Sequence, residues 1–339
     1  MNLTIIVPTL NRSVKLGMWL DYYFLNNYKG KILIIDSSNE KEKKKNILLL
    51  KKFSSLNINY VFIKKKNFRF NFLKIVKKKI KTKYVIWCGD DDFILIKTLK
   101  YLIKFLNNNR KYGGACGLGL VCYRDKKNFI TYKYNGLREI ENQNSFERLK
   151  SQFYKNKYTV SFYSVLRSTI WKNLKEQNYY KSNDISAELF FTFSIAYLTR
   201  IKQFKNLIYL VRMLGHKRAK ISKIDEEEIL KFSNFLNQML KKDFKKKFKY
   251  KKFKDKNSFF YSLLKEKFNR ENNKVTYPFR QIINTIFNFH RGKKFHRLIR
   301  FFRIKYIDFN GFISLTKKNT FKNHDELNNF IKFLKDKNY

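Results

Sequence analysis

An α/β fold with a parallel sheet is predicted by two features of the first 90 residues. Short apolar runs of strand length alternate with stretches of helical periodicity, and polar loops follow the apolar runs. Strands that alternate with helices are joined by helical crossovers and therefore run parallel. With 339 residues, 44% of them hydrophobic, the chain is long enough to bury the core that such a sheet requires.

The first part of the chain contains four predicted strands and three predicted helices. The strands are residues 3–7, 32–35, 60–63 and 84–87, and the helices between them are residues 15–26, 40–53 and 71–81. Parallel sheets bind ligands at the carboxyl ends of their strands, near the point where the strand order reverses. Polar loops leave three of these ends, at residues 8–12, 36–39 and 89–92, and together they define the predicted site.

The rest of the chain divides near residue 222. Before that point we predict helices at 93–109, 145–155, 168–178 and 184–197, and strands at 116–124, 129–134, 160–166 and 207–214. From residue 225 onward the pattern is helical, strongly basic and aromatic. We therefore predict a main domain, residues 1–222, and a mainly helical C-terminal region, residues 223–339. This region is expected either to attach peripherally to an anionic membrane or to pack as an appendage on the main domain.

The formal charge of +49 is a weak guide to partners. Clustered Lys and Arg attract polyanions, but here the Lys excess accompanies frequent Asn, Ile, Phe and Tyr along the whole chain, as in an AT-rich coding sequence. No RNA-binding or helix-turn-helix motif is present in the sequence. We therefore expect no specific nucleic-acid partner and leave attraction to anionic lipid or glycan open.

The cysteines and the first residues favour a cytoplasmic location. Cys88, Cys116 and Cys122 lack metal-binding spacing and are odd in number, which argues against a disulfide framework. The first ten residues lack the basic start of a signal peptide, and no apolar run approaches the ~20 residues that a membrane span needs. A cytoplasmic protein is expected, with peripheral association at the inner face of the membrane as an open alternative.

Three consecutive aspartates, Asp90, Asp91 and Asp92, follow the predicted strand at 84–87. Adjacent carboxylates repel one another unless a cation lies among them. Carboxylate oxygens suit Mg²⁺ or Mn²⁺, which takes one or two protein carboxylates and completes its shell with phosphate and water. The triplet therefore predicts a Mn²⁺ or Mg²⁺ site. The alternative is an acidic turn in which Asp92 caps the helix predicted from residue 93.

Three stretches of the sequence carry a family resemblance. They read LTIIVPTLNR at 3–12, ILIIDSS at 32–38 and YVIWCGDDDF at 84–93. Their order and spacing resemble the signature stretches of family 2 glycosyltransferases with the GT-A fold, in particular a bacterial subgroup with a DDD-type aspartate motif. The resemblance covers about residues 1–220. It implies a mixed, mostly parallel sheet flanked by helices, with a nucleotide-binding Rossmann-like half and an acceptor half.

The resemblance also implies an activity and its partners. The expected reaction is the inverting transfer of a sugar from a nucleotide-diphosphate sugar donor to a hydroxyl of a glycan or lipid-linked acceptor. The implied setting is the synthesis of cell-surface polysaccharide. The implied cofactor is Mn²⁺ or Mg²⁺.

Roles for individual loop residues follow from the same resemblance. The residues that it places on the nucleotide sugar are Pro8, Thr9, Asn11, Arg12, Asp36, Ser38 and Asp90. Asp91 is the implied main metal ligand, with Asp92 beside it and His216 as a late addition to the metal shell. The sequence departs from the pattern at Ser37, because many relatives carry a second acidic residue after the position of Asp36.

Transfer to a sugar hydroxyl requires a base, and a carboxylate usually serves. The resemblance places this base at the start of a helix after the metal motif. Asp184 and Glu188 lie there, four residues apart and so on one helix face. Glu188 precedes Leu189, Phe190 and Phe191, and burial among apolar groups would raise its pKa toward a useful range. We favour Glu188, with Asp184 as the alternative.

Five further side chains are candidates for substrate contacts. Tyr163 and Trp171 are candidates for stacking on an acceptor sugar, with a core position as the alternative for both. Arg212, with Lys217 and Arg218 nearby, is a candidate for contacting the diphosphate.

Two other functions fit a nucleotide-binding α/β protein. A sugar nucleotidyltransferase needs a glycine-rich phosphate loop after its first strand, and the stretch PTLNR at 8–12 contains no glycine. A catalytically degenerate GT-A protein could instead bind a nucleotide sugar, an anionic membrane or a polyanion. The second alternative stays open, and metal-dependent turnover of nucleotide sugars distinguishes it from the enzyme.

Overall fold

The computed structural model describes residues 1–125, 128–134, 136–154, 160–174, 184–213, 234 and 322–337. The strands are β1 Leu3–Thr9, β2 Lys31–Asp36, β3 Asn57–Phe62, β4 Tyr84–Trp87, β5 Asp92–Ile94, β6 Gly114–Asp125, β7 Asn128–Tyr134, β8 Val165–Arg167 and β9 Ile201–Met213. The α-helices are α1 Ser13–Leu25, α2 Glu40–Lys51, α3 Phe68–Lys79, α4 Ile96–Asn108, α5 Ser145–Tyr154, α6 Ser168–Asn173, α7 Asp184–Leu198 and α8 His324–Asp336.

One sheet runs through the described residues, in the order β3-β2-β1-β4-β8-β6-β9-β5, with β7 paired to β6. The first four strands of this order run parallel and are linked by α1, α2 and α3. β1, β2 and β4 are buried along most of their length. Continuous apolar runs are what a parallel sheet needs when helices cover both of its faces. The predicted α/β architecture is therefore confirmed for this half.

The second half of the sheet mixes strand directions. β8 pairs antiparallel with both β4 and β6, and β5 pairs antiparallel with β9. The long strands β6 and β9 run parallel to each other. In place of the strand predicted at 160–166, the chain forms a 3₁₀ turn, Ser161–Tyr163, and the short strand β8. The result is a mixed, mostly parallel sheet, as predicted.

The segment after the aspartates differs from its prediction. A helix was expected from residue 93, but Asp92–Ile94 forms β5, whose register pairs Asp92 with Arg212. Helix α4 then begins at Ile96 with Leu95 at its N-cap. Asp92 is therefore a strand residue, and the alternative in which it caps this helix is wrong.

Helix α8 packs onto the main domain. Its apolar residues Leu327, Phe330 and Leu334 are each at most 1% exposed. Phe330 contacts Tyr22 of α1 and Phe93 of β5. This part of the C-terminal region thus behaves as the appendage considered from the sequence. The boundary at residue 222 stays a prediction, because it lies outside the described residues. Among the helices of the described ranges, none is both long and apolar enough to cross a membrane.

Candidate active site

The crevice between the carboxyl ends of β1 and β4 contains the predicted site. From β1 the chain builds β2 and β3 on one side and returns to β4 on the other, so the strand order reverses between β1 and β4. Ligands of open α/β sheets bind at such a switch point. Thr9, the last residue of β1, donates from Oγ1 to Asp90 Oδ2 at 2.7 Å. This hydrogen bond joins the two loops that flank the crevice.

Pro8 lies in the central strand β1, and its missing backbone N–H does not remove a hydrogen bond from the sheet. β1 pairs with β4 only as far as Ile6 and Trp87, and the last bond runs from Cys88 N to Ile6 O at 2.9 Å. Backbone groups two residues apart face the same neighbouring strand, so position 8 faces β4 beyond the last pair. The strands separate at this point, and their separation opens the crevice.

Arg12 bridges the first two aspartates. Its Nη1 donates to Asp90 Oδ1 and to Asp91 Oδ2, both at 3.0 Å. Partial burial of Arg12 opposes its charge, but Asp90 and Asp91 outweigh that effect and raise its pKa. Burial also raises the pKa of Asp90, although the hydrogen bond from Thr9 acts in the opposite direction and lowers it. The loop after β1 therefore supplies the cation for the loop after β4.

Asp91 is the most accessible carboxylate of the three. Its side chain is 24% exposed, against 4% for Asp90 and 2% for Asp92. Asp91 Oδ2 also accepts from Lys15 Nζ at 3.1 Å. Within the described residues no donor contacts Asp91 Oδ1. Asp91 thus presents one open oxygen beside two cations.

Asp92 is held inside the protein. Its Oδ1 accepts from Arg212 Nε at 3.2 Å, and its Oδ2 accepts from the Tyr163 hydroxyl at 2.5 Å. Burial raises the pKa of Asp92, although the charge of Arg212 acts in the opposite direction and lowers it. In this arrangement Asp92 anchors the loop, and its predicted place beside Asp91 in the metal site stays a prediction. Tyr163 is likewise a buried partner of Asp92, and its position does not match the predicted stacking on an acceptor.

The aspartates fit a divalent ion that has few protein ligands. Within the described ranges, no group of three or more His, Cys, Asp or Glu is arranged to hold a metal. A methyl group at Gly89 would lie 3.2 Å from Asp91 Oδ1 and 3.1 Å from Asp92 Oδ2, so both oxygens approach the same side of the turn. Mg²⁺ and Mn²⁺ commonly take one or two carboxylates and rely on substrate phosphate for the rest. Asp91 is the residue that fits this requirement.

The loops after β1 and β2 brace each other through Asn11 and Ser38. Asn11 has a positive φ of 54°, which an asparagine tolerates better than most residues. Its backbone N–H donates to Ser38 Oγ, and its Oδ1 accepts from Asn39 N, both at 2.8 Å. These bonds fix the turn that delivers Arg12 to the aspartates.

Asp36 orders its own loop. Its Oδ1 accepts from Ser38 N at 2.7 Å, and its Oδ2 accepts from Asn46 Nδ2 at 2.8 Å and from the Tyr60 hydroxyl at 2.7 Å. The side chain is fully buried. Both oxygens of Asp36 thus have donors within the protein, and its contact with a base or ribose stays a prediction.

The base candidates lie on α7. Glu188 is exposed whereas Leu189 and Phe190 are buried, so the expectation that burial surrounds Glu188 is wrong. Asp184 begins α7, but its side chain and the whole of His216 lie outside the described residues. The roles of Asp184, Glu188 and His216 stay predictions.

Lys15 and the true partner of Arg212 were not foreseen. Lys15 lies in the first turn of α1, three residues after the N-cap residue Arg12. Because the helix was predicted to begin only at Lys15 and Arg12 is not helical, the spacing rule for helices could not bring the two side chains together from the sequence. Arg212 was expected on the diphosphate, but it pairs with Asp92, 120 positions earlier in the chain. Such a distant pair leaves no local pattern.

The fold is similar to that of S. aureus TarS. The chain matches the crystal structure of TarS 1–349 with a TM-score of 0.50 and 12% identity, over 82% of this chain and 74% of that one. The GT-A-type fold predicted from the sequence is thereby confirmed. Neither a scan of protein-family models nor a search of curated proteins gives a significant match.

Two other solved structures match less well. A longer TarS structure gives a TM-score of 0.46 and 15% identity over 70% of this chain, which spans only 43% of that one. The mannosyltransferase PcManGT from Pyrobaculum calidifontis, in complex with GDP-Man and Mn²⁺, gives a TM-score of 0.43 and 12% identity. The match covers 88% of this chain and 82% of that one.

Proposed function

We propose that the protein is a metal-dependent, inverting glycosyltransferase. It transfers a sugar from a nucleotide-diphosphate donor to a hydroxyl of a glycan or lipid-linked acceptor, in cell-surface polysaccharide synthesis. The observation that carries the proposal is the cluster of Asp91, Arg12 and Lys15 at the switch point of a GT-A-type sheet. Two cations beside one open carboxylate suit a diphosphate together with its divalent counter-ion.

The cations of the cluster bind the donor. Arg12 and Lys15 exchange their shared contact with Asp91 Oδ2 for oxygens of the donor diphosphate, since charge-assisted hydrogen bonds to phosphate are among the strong ones. Thr9 holds Asp90 in place on the ribose side. The hydrogen bond between Asn11 and Ser38 keeps the loop that contains Arg12 in the position in which Arg12 reaches the donor. Asp36 supports the same loop from within.

Asp91, together with donor phosphate, is the residue that would hold Mn²⁺ or Mg²⁺. When bound, such an ion neutralises the charge that develops on the leaving diphosphate. Asp92 remains paired with Arg212 and keeps the turn in position. His216 is the proposed additional ligand from the chain after β9.

A carboxylate on α7 is the proposed base. Glu188 accepts the proton of the acceptor hydroxyl as that oxygen forms the new bond to the anomeric carbon and the bond to the diphosphate breaks. The exposed position of Glu188 supports access to an acceptor from solvent. Asp184, at the start of the same helix, is the alternative base.

Donor binding and turnover test the proposal. UDP- and GDP-sugars, together with CMP-sugars as donors that carry only one phosphate, are titrated against the full chain by calorimetry with and without Mn²⁺. Release of the nucleotide (UDP, GDP or CMP) is followed over time. We expect one base to be preferred and turnover to require the metal. Metal-independent binding without release would instead identify a catalytically degenerate binding protein, and no binding of any donor would exclude both functions.

A further inference from the structure

Helix α8 contacts the segment that follows the aspartates, more than 220 residues earlier in the chain. Phe330 packs on Phe93 with ring centroids 5.0 Å apart and on Tyr22 at 5.3 Å. Phe93 directly follows Asp92, whose backbone oxygen accepts from Trp19 Nε1 at 3.0 Å. Helix α8, helix α1 and β5 therefore share one aromatic cluster immediately behind the aspartate loop.

Asn323 extends the sheet beyond the end of β5. The pairing of β5 with β9 ends with the bond from Leu95 N to Tyr209 O at 2.9 Å. At the next position the Asn323 side chain takes the role of a strand residue: its Oδ1 accepts from Ile208 N at 2.9 Å and its Nδ2 donates to Ile208 O at 2.6 Å. The amide satisfies backbone groups of β9 that β5 is too short to reach.

Glu326 caps helix α4. The N-cap residue of α4 is Leu95, which has no side-chain acceptor, and the first turn of the helix contains no acidic residue. Glu326 Oε1 accepts from Lys97 N at 2.7 Å. A carboxylate at this position satisfies a helical N–H and interacts favourably with the helix dipole. The cap that α4 lacks locally is thus supplied by α8.

We infer that helix α8 is a positioning element for the aspartate loop. At β5 it contacts the segment after the aspartates through Phe330. At the start of α4 it does so through Glu326 and through its N-cap residue Asn323, whose Nδ2 donates to Thr98 Oγ1 at 3.0 Å. The loop that contains Asp90 and Asp91 ends where this segment begins. The inference rests on the proposed function in one respect, namely that this loop binds the donor.

Full-chain variants test the inference at the polar contacts. The double variant Asn323→Ala/Glu326→Ala removes both, and Asp325→Ala/Asn329→Ala is its matched control, since those two side chains lie on the exposed face of the same helix. Backbone hydrogen exchange of residues 91–98 is measured by mass spectrometry. We expect about fivefold faster exchange in the first variant, the factor that corresponds to a lost helix cap, and no change in the control.

A conservative variant separates positioning from general destabilisation. Glu326→Gln retains an oxygen for Lys97 N–H, so exchange in residues 91–98 should stay close to that of the wild type. In the Asn323→Ala/Glu326→Ala variant the affinity for the preferred nucleoside diphosphate with Mn²⁺ should fall about tenfold, about 1.4 kcal/mol.

The outcomes separate the two claims. Exchange that is equal in the variant and its control overturns the inference, and so does faster exchange with unchanged nucleotide affinity. If the wild type binds no nucleotide, the proposed function fails. The exchange comparison alone then decides whether α8 holds the loop.

Discussion

The Arg212 guanidinium lies against the Asp92 carboxylate, with Nε 3.2 Å from Oδ1. Asp92 is 2% exposed, and a carboxylate buried to that extent needs a cation or a proton. Arg212 supplies the cation and also donates from Nη1 to the Tyr134 hydroxyl at 2.7 Å. Partial desolvation opposes its charge, but Asp92 outweighs that effect and raises the pKa of Arg212. The pair thus ties the aspartate loop to the half of the sheet with mixed strand directions.

Removal of this cation should destabilise the fold. Arg212→Met leaves Asp92 buried without a counter-charge, and we expect the free energy of unfolding to fall by about 3 kcal/mol, the lower end for a broken buried pair. Urea unfolding measures the change. Arg200→Met is the control, because Arg200 is only partly buried and donates to the backbone oxygen of Lys111 at 3.1 Å, with no carboxylate partner among the described residues. Its effect should be about 0.5 kcal/mol.

A second substitution checks the cause. Asp92→Asn in the Arg212→Met background should restore part of the lost stability, because a neutral amide needs no counter-charge. The two substitutions are then strongly non-additive. Additive losses would show that Arg212 stabilises the protein by packing alone.

Asp91, and not Asp92, is expected to bind the metal. Asp91→Asn should weaken Mn²⁺ binding in the presence of a nucleoside diphosphate at least tenfold, about 1.4 kcal/mol, with little change in unfolding because the side chain is partly exposed. Electron paramagnetic resonance of Mn²⁺ measures the free ion. Asp325→Asn, an exposed aspartate of α8, is the control. Retention of Mn²⁺ binding by the Asp91→Asn variant would assign the metal to other groups.

The sequence predicted the parallel half of the sheet well for a physical reason. Central parallel strands are buried on both faces, so β1, β2 and β4 read as continuous apolar runs with polar loops at their ends. The rule for the carboxyl ends of strands then brings Thr9 and Asp90 together without any knowledge of the structure. Both steps depend on local pattern alone.

The features that were missed depend on distant contacts. β5 is three residues long, and its strand character comes from pairing with β9. The cap of α4 comes from Glu326, 229 positions away. Glu188 was expected to be buried because its neighbours are apolar, but the apolar residues of α7 are spread around the helix and give no periodic signal for its exposed side. In each case tertiary structure decides what the local pattern leaves open.

Lys15 should contribute to donor binding more than to chemistry. Lys15→Met removes one of the two cations beside Asp91, and we expect the KM for the nucleotide sugar to rise about tenfold with kcat changed less, as for loss of uniform binding. Steady-state kinetics over a range of donor concentrations measures both constants. Lys44→Met removes an exposed cation of α2 and should change neither. A fall in kcat at constant KM would place Lys15 in transition-state stabilisation instead.

The contact of Glu42 with the start of α1 predicts a pH dependence of stability. Glu42 Oε1 accepts from Lys45 Nζ at 2.6 Å, and its Oε2 accepts from the Ser13 hydroxyl at 2.7 Å and from Ser13 N at 3.2 Å. The hydrogen bonds from Lys45 and Ser13 lower the pKa of Glu42 from 4.5 to about 2. Since the pKa is lower in the folded state, the contribution is complete above pH 4.5 and is lost as the pH falls toward 2.

Urea unfolding of the wild type and the Glu42→Gln variant at several pH values tests this dependence. The difference in unfolding free energy should be constant near neutral pH and should shrink below the ordinary pKa of glutamate. Glu40→Gln makes the same charge change on the exposed side of α2, where Glu40 accepts from Lys43 at 3.3 Å. When the pH dependence of the unfolding free energy of the Glu40→Gln variant is subtracted from that of the Glu42→Gln variant, the remaining pH dependence comes from the Ser13 contact. A difference that grows on acidification would contradict the lowered pKa, because protonation would then strengthen the contact that anchors the helix next to Arg12.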